Sequence, residues 1–175
     1  MRAIVASITR WDTVWLTMIF GLEGRRLVTF AMPRISRTAN GFGYPMLALV
    51  LLVVDPAVGR GFLTAALVAF AVELPIYKVV KQAVKCDRPC QILPGVEGRV
   101  TPSDRFSFPS GHTAAAFLVA TLLGHSYPVL YPLTGAWAAA VGLSRVYLGV
   151  HYPTDVMAGM CLGALSALCG IAAAG

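Results

Sequence analysis

Apolar runs separated by clusters of proline, glycine and charge divide this chain, and they predict a series of membrane-buried helices. The first extends from Asn40 to Val54 and stops at Asp55-Pro56. A second runs from Gly61 to about Val84, and a third from Pro109 or Ser110 to Gly124-His125. A fourth opens at Pro128 and Pro132 and continues to about Val150, and a fifth runs from Pro153 to Ala174. The first run is short for a bilayer, so it must recruit flanking residues or thin the bilayer locally. Small residues inside the runs, such as Gly135, Gly142, Gly159 and Gly163, suit close contact between membrane helices.

Upstream the pattern changes. Ala6 to Leu22 and Gly24 to Thr38 read as two amphipathic helices at the bilayer surface, with Arg25, Arg26, Arg34 and Arg37 against head groups. A sixth crossing that merges part of this region is the alternative. The predicted fold is therefore an all-α integral membrane bundle of five to six transmembrane helices with N-terminal amphipathic surface helices. It forms a single domain, 1–175, in which residues 1–38 are interfacial and residues 39–175 are the transmembrane core.

Composition strengthens this reading. The 175 residues are 57% apolar and 13% charged, with a mean hydropathy of +0.72, against roughly a quarter charged in soluble proteins. The net charge of +6 comes from lysines and arginines at the ends of apolar runs, where snorkelling and topology explain them. Nothing in their arrangement suits nucleic acid. Arg10 and Asp12 interrupt the first apolar stretch and no small-residue cleavage site follows, so no removable signal peptide is expected. The four cysteines lack zinc spacing; Cys86 and Cys90 could pair only in an oxidising compartment.

Polar residues inside the apolar pattern mark the chemistry. Glu73, Tyr77, Lys81 and Lys85 recur every four residues and share a helix face that cannot point at lipid. Residues 86–108 form a proline- and glycine-rich loop long enough to suggest function. Counting crossings brings the end of the second run, the start of the third and the turn between the fourth and fifth to one side of the membrane. Lys81, Arg88 and Arg145 then supply three positive charges for a phosphate or a five-coordinate phosphoryl transition state. Ser110 can cap the third helix, and the amides of Gly111 and His112 point at an anion there. His151, oriented by Asp155, is the candidate nucleophile, and His112 the general acid and later the base. These parts call for no metal or other cofactor.

The three motifs are Lys81 followed by Arg88-Pro89, then Pro109-Ser110-Gly111-His112, then Ser144-Arg145 followed by His151 and Asp155. Together they resemble the signature of the type 2 phosphatidic acid phosphatase family, which also includes vanadium haloperoxidases. The resemblance implies a metal-independent lipid phosphate hydrolase with a phosphohistidine intermediate. It implies the same roles: His151 as nucleophile, Asp155 as its partner, His112 as acid, and Lys81, Arg88, Ser110, Gly111 and Arg145 as phosphate ligands. Expected partners are the bilayer and a lipid phosphate: phosphatidate, phosphatidylglycerophosphate, or a polyprenyl phosphate, diphosphate or phosphosugar. A lipid phosphotransferase using the same phosphohistidine is the alternative. The expected location is a bacterial inner membrane, and the positive-inside rule applied to Arg2, Arg10, Arg25, Arg26, Arg34 and Arg37 favours a cytoplasmic catalytic face. On sequence alone, Asp104 reads as a solvated loop charge, and Tyr147 and Tyr152 read as interfacial belt aromatics.

Overall fold

The computed structural model describes residues 2–102 and 104–175, with side chains from residue 7 onward, so Ser103 of the loop and the side chain of Arg2 lie outside the described residues. The elements are α1 (Arg2–Phe20), α2 (Arg26–Thr38), α3 (Gly43–Val54), α4 (Pro56–Val84), α5 (Pro89–Ile92), α6 (Gly111–Ser126), a 3₁₀ turn (Pro128–Leu130), α7 (Tyr131–Tyr147) and α8 (Pro153–Ala174). No strand occurs among the described residues.

The break at Asp55-Pro56 both ends α3 and starts α4. The Asp55 carboxylate accepts a 3.3 Å bond from Val58 N, with Pro56 in the first turn where a missing N–H costs nothing. Helix α4 therefore begins five residues earlier than its apolar run. At its other end Lys85 adopts a left-handed conformation and turns the chain into the 86–108 loop.

Helix α6 is the hub. Its Leu118, Val119 and Leu122 pack with Phe62, Ala65 and Ala69 of α4 and Ala167 of α8. Its Ala116 and Ala120 meet Ala138 and Val141 of α7 on another side. Close approach of α6 and α8 depends on glycine: a Cβ at Gly159 would stand 2.5 Å from Ser110 O, and one at Gly163 would collide with Ala114 O.

Helices α4 and α8 are long and apolar enough to cross a membrane; α2 and α3, bent by 64°, count as a third only if taken together as one broken span. Alone, α3 has 12 residues and reaches about 18 Å. It covers residues 43–54 of the predicted first span, which is short for a bilayer as its sequence implied. Helices α6 and α7, with 16 and 17 residues, reach about 24–26 Å.

The N-terminal helices are tied into the bundle, not merely laid on its surface. Leu16 of α1 is buried with Val96, Val146 and Tyr152. Asp12 accepts bonds from Thr154 N (2.9 Å) and Thr154 Oγ1 (2.5 Å) at the start of α8. Ile8, Trp11, Trp15 and Met18 remain on the outer face of α1. Tyr147 and Tyr152 are buried, with Tyr147 OH 3.2 Å from Thr29 Oγ1, so neither is a belt aromatic.

Candidate active site

The turn after α4, the start of α6 and the α7–α8 turn meet at one end of the bundle. Backbone pairing holds them: Ser110 N donates to Asp155 O (3.0 Å), Cys90 N to Gly149 O (3.1 Å), Arg99 N to Leu148 O (3.0 Å) and Ser107 N to Cys86 O (2.8 Å). The Arg99 side chain adds bonds to Tyr147 O, Phe20 O and Glu23, which lock the 86–108 loop against α1 and α7. Cys86 and Cys90 keep free thiols and pack in separate clusters.

His151 sits at the centre and is 2% exposed. Nη1 of Arg88 lies 3.3 Å from His151 Nε2 and also donates to Val150 O at 2.7 Å. A guanidinium only donates, so Nε2 carries the lone pair and the ring proton belongs on Nδ1. Nδ1 stands 3.4 Å from Asp155 Oδ2, yet it lies outside hydrogen-bond geometry and has no partner among the described residues. Asp155 Oδ2 instead accepts Tyr152 N at 2.8 Å. Asp155 thus secures the start of α8 and keeps its carboxylate beside the His151 ring. Burial, and then the charges of Arg145, Arg88 and Lys81, push the His151 pKa well below the ordinary 6.5, partly offset by Asp104.

The three predicted cations are all buried. Lys81 Nζ donates to both Asp104 carboxylate oxygens at 3.0 and 2.9 Å, and to Tyr77 OH at 2.5 Å. Arg88 reaches the same carboxylate through Nη2 at 2.6 Å. Burial alone would raise the Asp104 pKa, but hydrogen bonds from Lys81 and Tyr77 and the charge of Lys81 outweigh it and hold Asp104 below the ordinary 3.8. Asp104, taken from sequence for a solvated charge, is therefore a structured, ionised member of the cation cluster, with 35% of its side chain still exposed. Arg145 Nη1 donates to Ser36 Oγ of α2 at 2.7 Å, while its Nε has no partner among the described residues. An unfilled buried donor of that kind suits an anion.

The Ser110 hydroxyl does not cap α6. It lies 2.9 Å from Thr113 Oγ1, and no side-chain capping bond is formed. The Gly111 position faces Tyr77, whose ring would stand 3.0–3.2 Å from any Cβ. His112 turns toward α2–α3, with Nε2 3.1 Å from Asn40 Oδ1. Sequence reasoning missed Ser36 and Asn40, which lie in no motif; Tyr77 was signalled only by sharing the Lys81 face. No group of three or more metal-ligating side chains occurs among the described residues.

Residues 62–174 match the sequence profile of the PAP2 superfamily. A decaprenylphosphoryl-5-phosphoribose phosphatase of Mycolicibacterium smegmatis is 34% identical over 153 residues, covering 85% of this chain and 80% of that protein. The Mycobacterium tuberculosis protein of the same name is 34% identical over 122 residues, covering 70% of this chain and 66% of that protein. Phosphatidylglycerophosphatase B of Bacillus subtilis is 38% identical over 110 residues, covering 57% of this chain and 51% of that protein. The chain thus spans between half and four fifths of the length of these relatives. Among solved structures, Aquifex aeolicus LpxE superposes with a TM-score of 0.81 at 24% identity, covering 93% of this chain and 95% of that one. The PAP2-type phosphatidylglycerolphosphate phosphatase of Bacillus subtilis does so at 0.71 and 25% identity, covering 94% and 84%.

Proposed function

Because the chain belongs to the PAP2 superfamily, we propose that it is a membrane-embedded lipid phosphate phosphatase working through a phosphohistidine without metal. The observation that carries this reading is the buried His151, its Nε2 lone pair directed at Arg88 and its charge environment set by Lys81, Arg88 and Arg145. Phosphate binds among the three cations and draws Arg88 away from Nε2. His151 Nε2 then attacks phosphorus while the bond to the lipid oxygen breaks, and His112 protonates the departing alkoxide. Asp155 supports the imidazolium as it forms. Water, losing its proton to His112, attacks the phosphohistidine and releases inorganic phosphate. The cations stabilise charge on the equatorial oxygens throughout.

The substrates in the names of the relatives, phosphatidylglycerophosphate and a polyprenyl phosphosugar, are the classes we carry over to this chain. For topology we propose five crossings: the α2–α3 segment, α4, α6, α7 and α8. The N-terminal arginines lie on helices tied to the catalytic end through Ser36, Thr29 and Asp12, whereas Arg60 lies near the opposite end of α4. By the positive-inside rule this charge distribution supports a cytoplasmic catalytic face.

The test is phosphate release from a panel of lipid phosphates by purified wild type and His151→Ala. Release from at least one lipid, inhibited by vanadate, insensitive to EDTA and lost in the variant, is expected. Loss of activity on chelation with recovery on adding magnesium overturns the mechanism. Label passing to a second lipid instead of water would identify a phosphotransferase.

A further inference from the structure

Glu73 lies in the middle of α4, is 2% exposed, and makes no hydrogen bond or ion pair among the described residues. A carboxyl group so placed in a membrane helix is costly unless something supplies a partner. Its neighbours do not. Tyr44 OH donates to Ala39 O, Tyr77 OH donates to Asp104, and Lys81 is committed to Asp104 and Tyr77.

What Glu73 lines is a groove of about 560 Å³ between α3, α4 and α6, walled by Asn40, Tyr44, Phe70, Tyr77 and His112. Its outer edge carries the exposed Phe42 and Leu74, so it opens sideways toward lipid. Its inner end is the phosphate site, since Tyr77 and His112 belong to both. Glu73, Tyr77 and Lys81 form a ladder on one face of α4, and eight residues of helix span about 12 Å. A substrate with phosphate at Lys81 and its chain leaving through the groove passes its alcohol portion across Glu73.

Resting on the phosphatase reading above, we propose that Glu73 is a specificity-determining residue that hydrogen-bonds a hydroxyl group on the alcohol side of the scissile phosphate. A hydroxyl donates to a carboxylate and accepts from a carboxylic acid, so it satisfies Glu73 in either protonation state. An ester carbonyl can only accept, so it leaves an ionised Glu73 without a donor. The favoured substrates are then polyol phosphates on lipid, with a glycerol or sugar hydroxyl beside the phosphate. A bare polyprenyl phosphate leaves Glu73 unpaired and is disfavoured.

The experiment compares phosphatidylglycerophosphate with its analogue in which 1,3-propanediol replaces the head-group glycerol, and a polyprenyl phosphoribose phosphate with undecaprenyl phosphate. Wild type, Glu73→Gln and Glu73→Leu are assayed for kcat/KM. Wild type is expected to favour the hydroxylated member of at least one pair by tenfold or more, Glu73→Leu to bring that pair within about twofold, and Glu73→Gln to fall between. Which pair responds identifies glycerol or sugar as the source. Equal rates on both members of both pairs in wild type, or a preference unchanged in Glu73→Leu, overturns the proposal. Thermal unfolding in detergent separates a structural role: Glu73→Leu should unfold at the same or higher temperature, because it removes an unpaired buried carboxyl. If no lipid releases phosphate, the phosphatase reading fails by itself. Binding of the same lipids to the His151→Ala protein, with and without Glu73→Leu, then still decides whether Glu73 reads the hydroxyl.

Discussion

Ser36 Oγ in α2 accepts a 2.7 Å hydrogen bond from Nη1 of Arg145 in α7, across 109 positions of sequence. A residue from the N-terminal amphipathic region thereby orients one of the three cations of the candidate site. The two groups are buried together, so removing the hydroxyl leaves a buried guanidinium donor without its partner.

Ser36→Ala is accordingly expected to weaken vanadate inhibition and raise KM by roughly ten- to 150-fold, the scale of about 1.5–3 kcal/mol for a hydrogen bond to a charged group. Ser36→Thr keeps the oxygen and should retain most of the affinity. Inhibition constants for vanadate on the three proteins check this.

Asp104 occupies Lys81 and Arg88 at 2.9 and 2.6 Å, where an incoming phosphate would contact the same cations. Asp104→Asn removes the competing negative charge. Vanadate should bind several-fold more tightly to the variant, and its salt dependence should steepen as more uncompensated positive charge faces the ligand. Weaker vanadate binding would mean that Asp104 positions the cations more than it competes with substrate.

His151 has its pKa lowered well below 6.5, so between that lowered value and 6.5 the unfolded chain binds a proton that the folded chain does not. Stability contributed by His151 is then full above about pH 6.5 and declines as pH falls. The proposed nucleophile stays neutral in the same interval. Titration of the His151 ring by NMR in detergent should find it unprotonated at pH 6, and a protonated ring at that pH would contradict the assignment.

Gly159→Ala forces a methyl group to within 2.5 Å of Ser110 O, a backbone atom that no side-chain rotation can move aside. The expected cost is about 1–3 kcal/mol of overpacking, read as a lower unfolding temperature in detergent. Activity should drop as well, because Ser110 N holds Asp155 O at the same junction.

Much of the site was legible because its motifs sit at helix ends. Lys81, Arg88, Arg145, His151 and Asp155 gather at one end of the bundle, and each lies at or beside the end of an apolar run. Other parts were not legible. Ser110 pairs with Thr113 instead of capping α6, a choice between two acceptable partners that local sequence leaves open. Asp104 looked like any loop charge, and only the folded loop brings it onto Lys81 and Arg88. Asn40 and Ser36 meet His112 and Arg145 where α2 bends by 64° into α3, with α2 packed on α7 and α3 on α4.

The sequence by itself determined the helical membrane architecture, the end of α4 at Val84, the extent of α8, and which charged and imidazole residues gather at one end of the bundle. These follow from hydropathy and spacing, which are local properties of the chain. The tertiary structure alone decided that α1 and α2 brace the end that holds the candidate site, that Asp104 sits on two cations, and that Glu73 opens into a groove without a partner among the described residues. Each of these is a contact between residues far apart in sequence. Their formation depends on which helix faces pack together, and no short stretch of the chain encodes that choice.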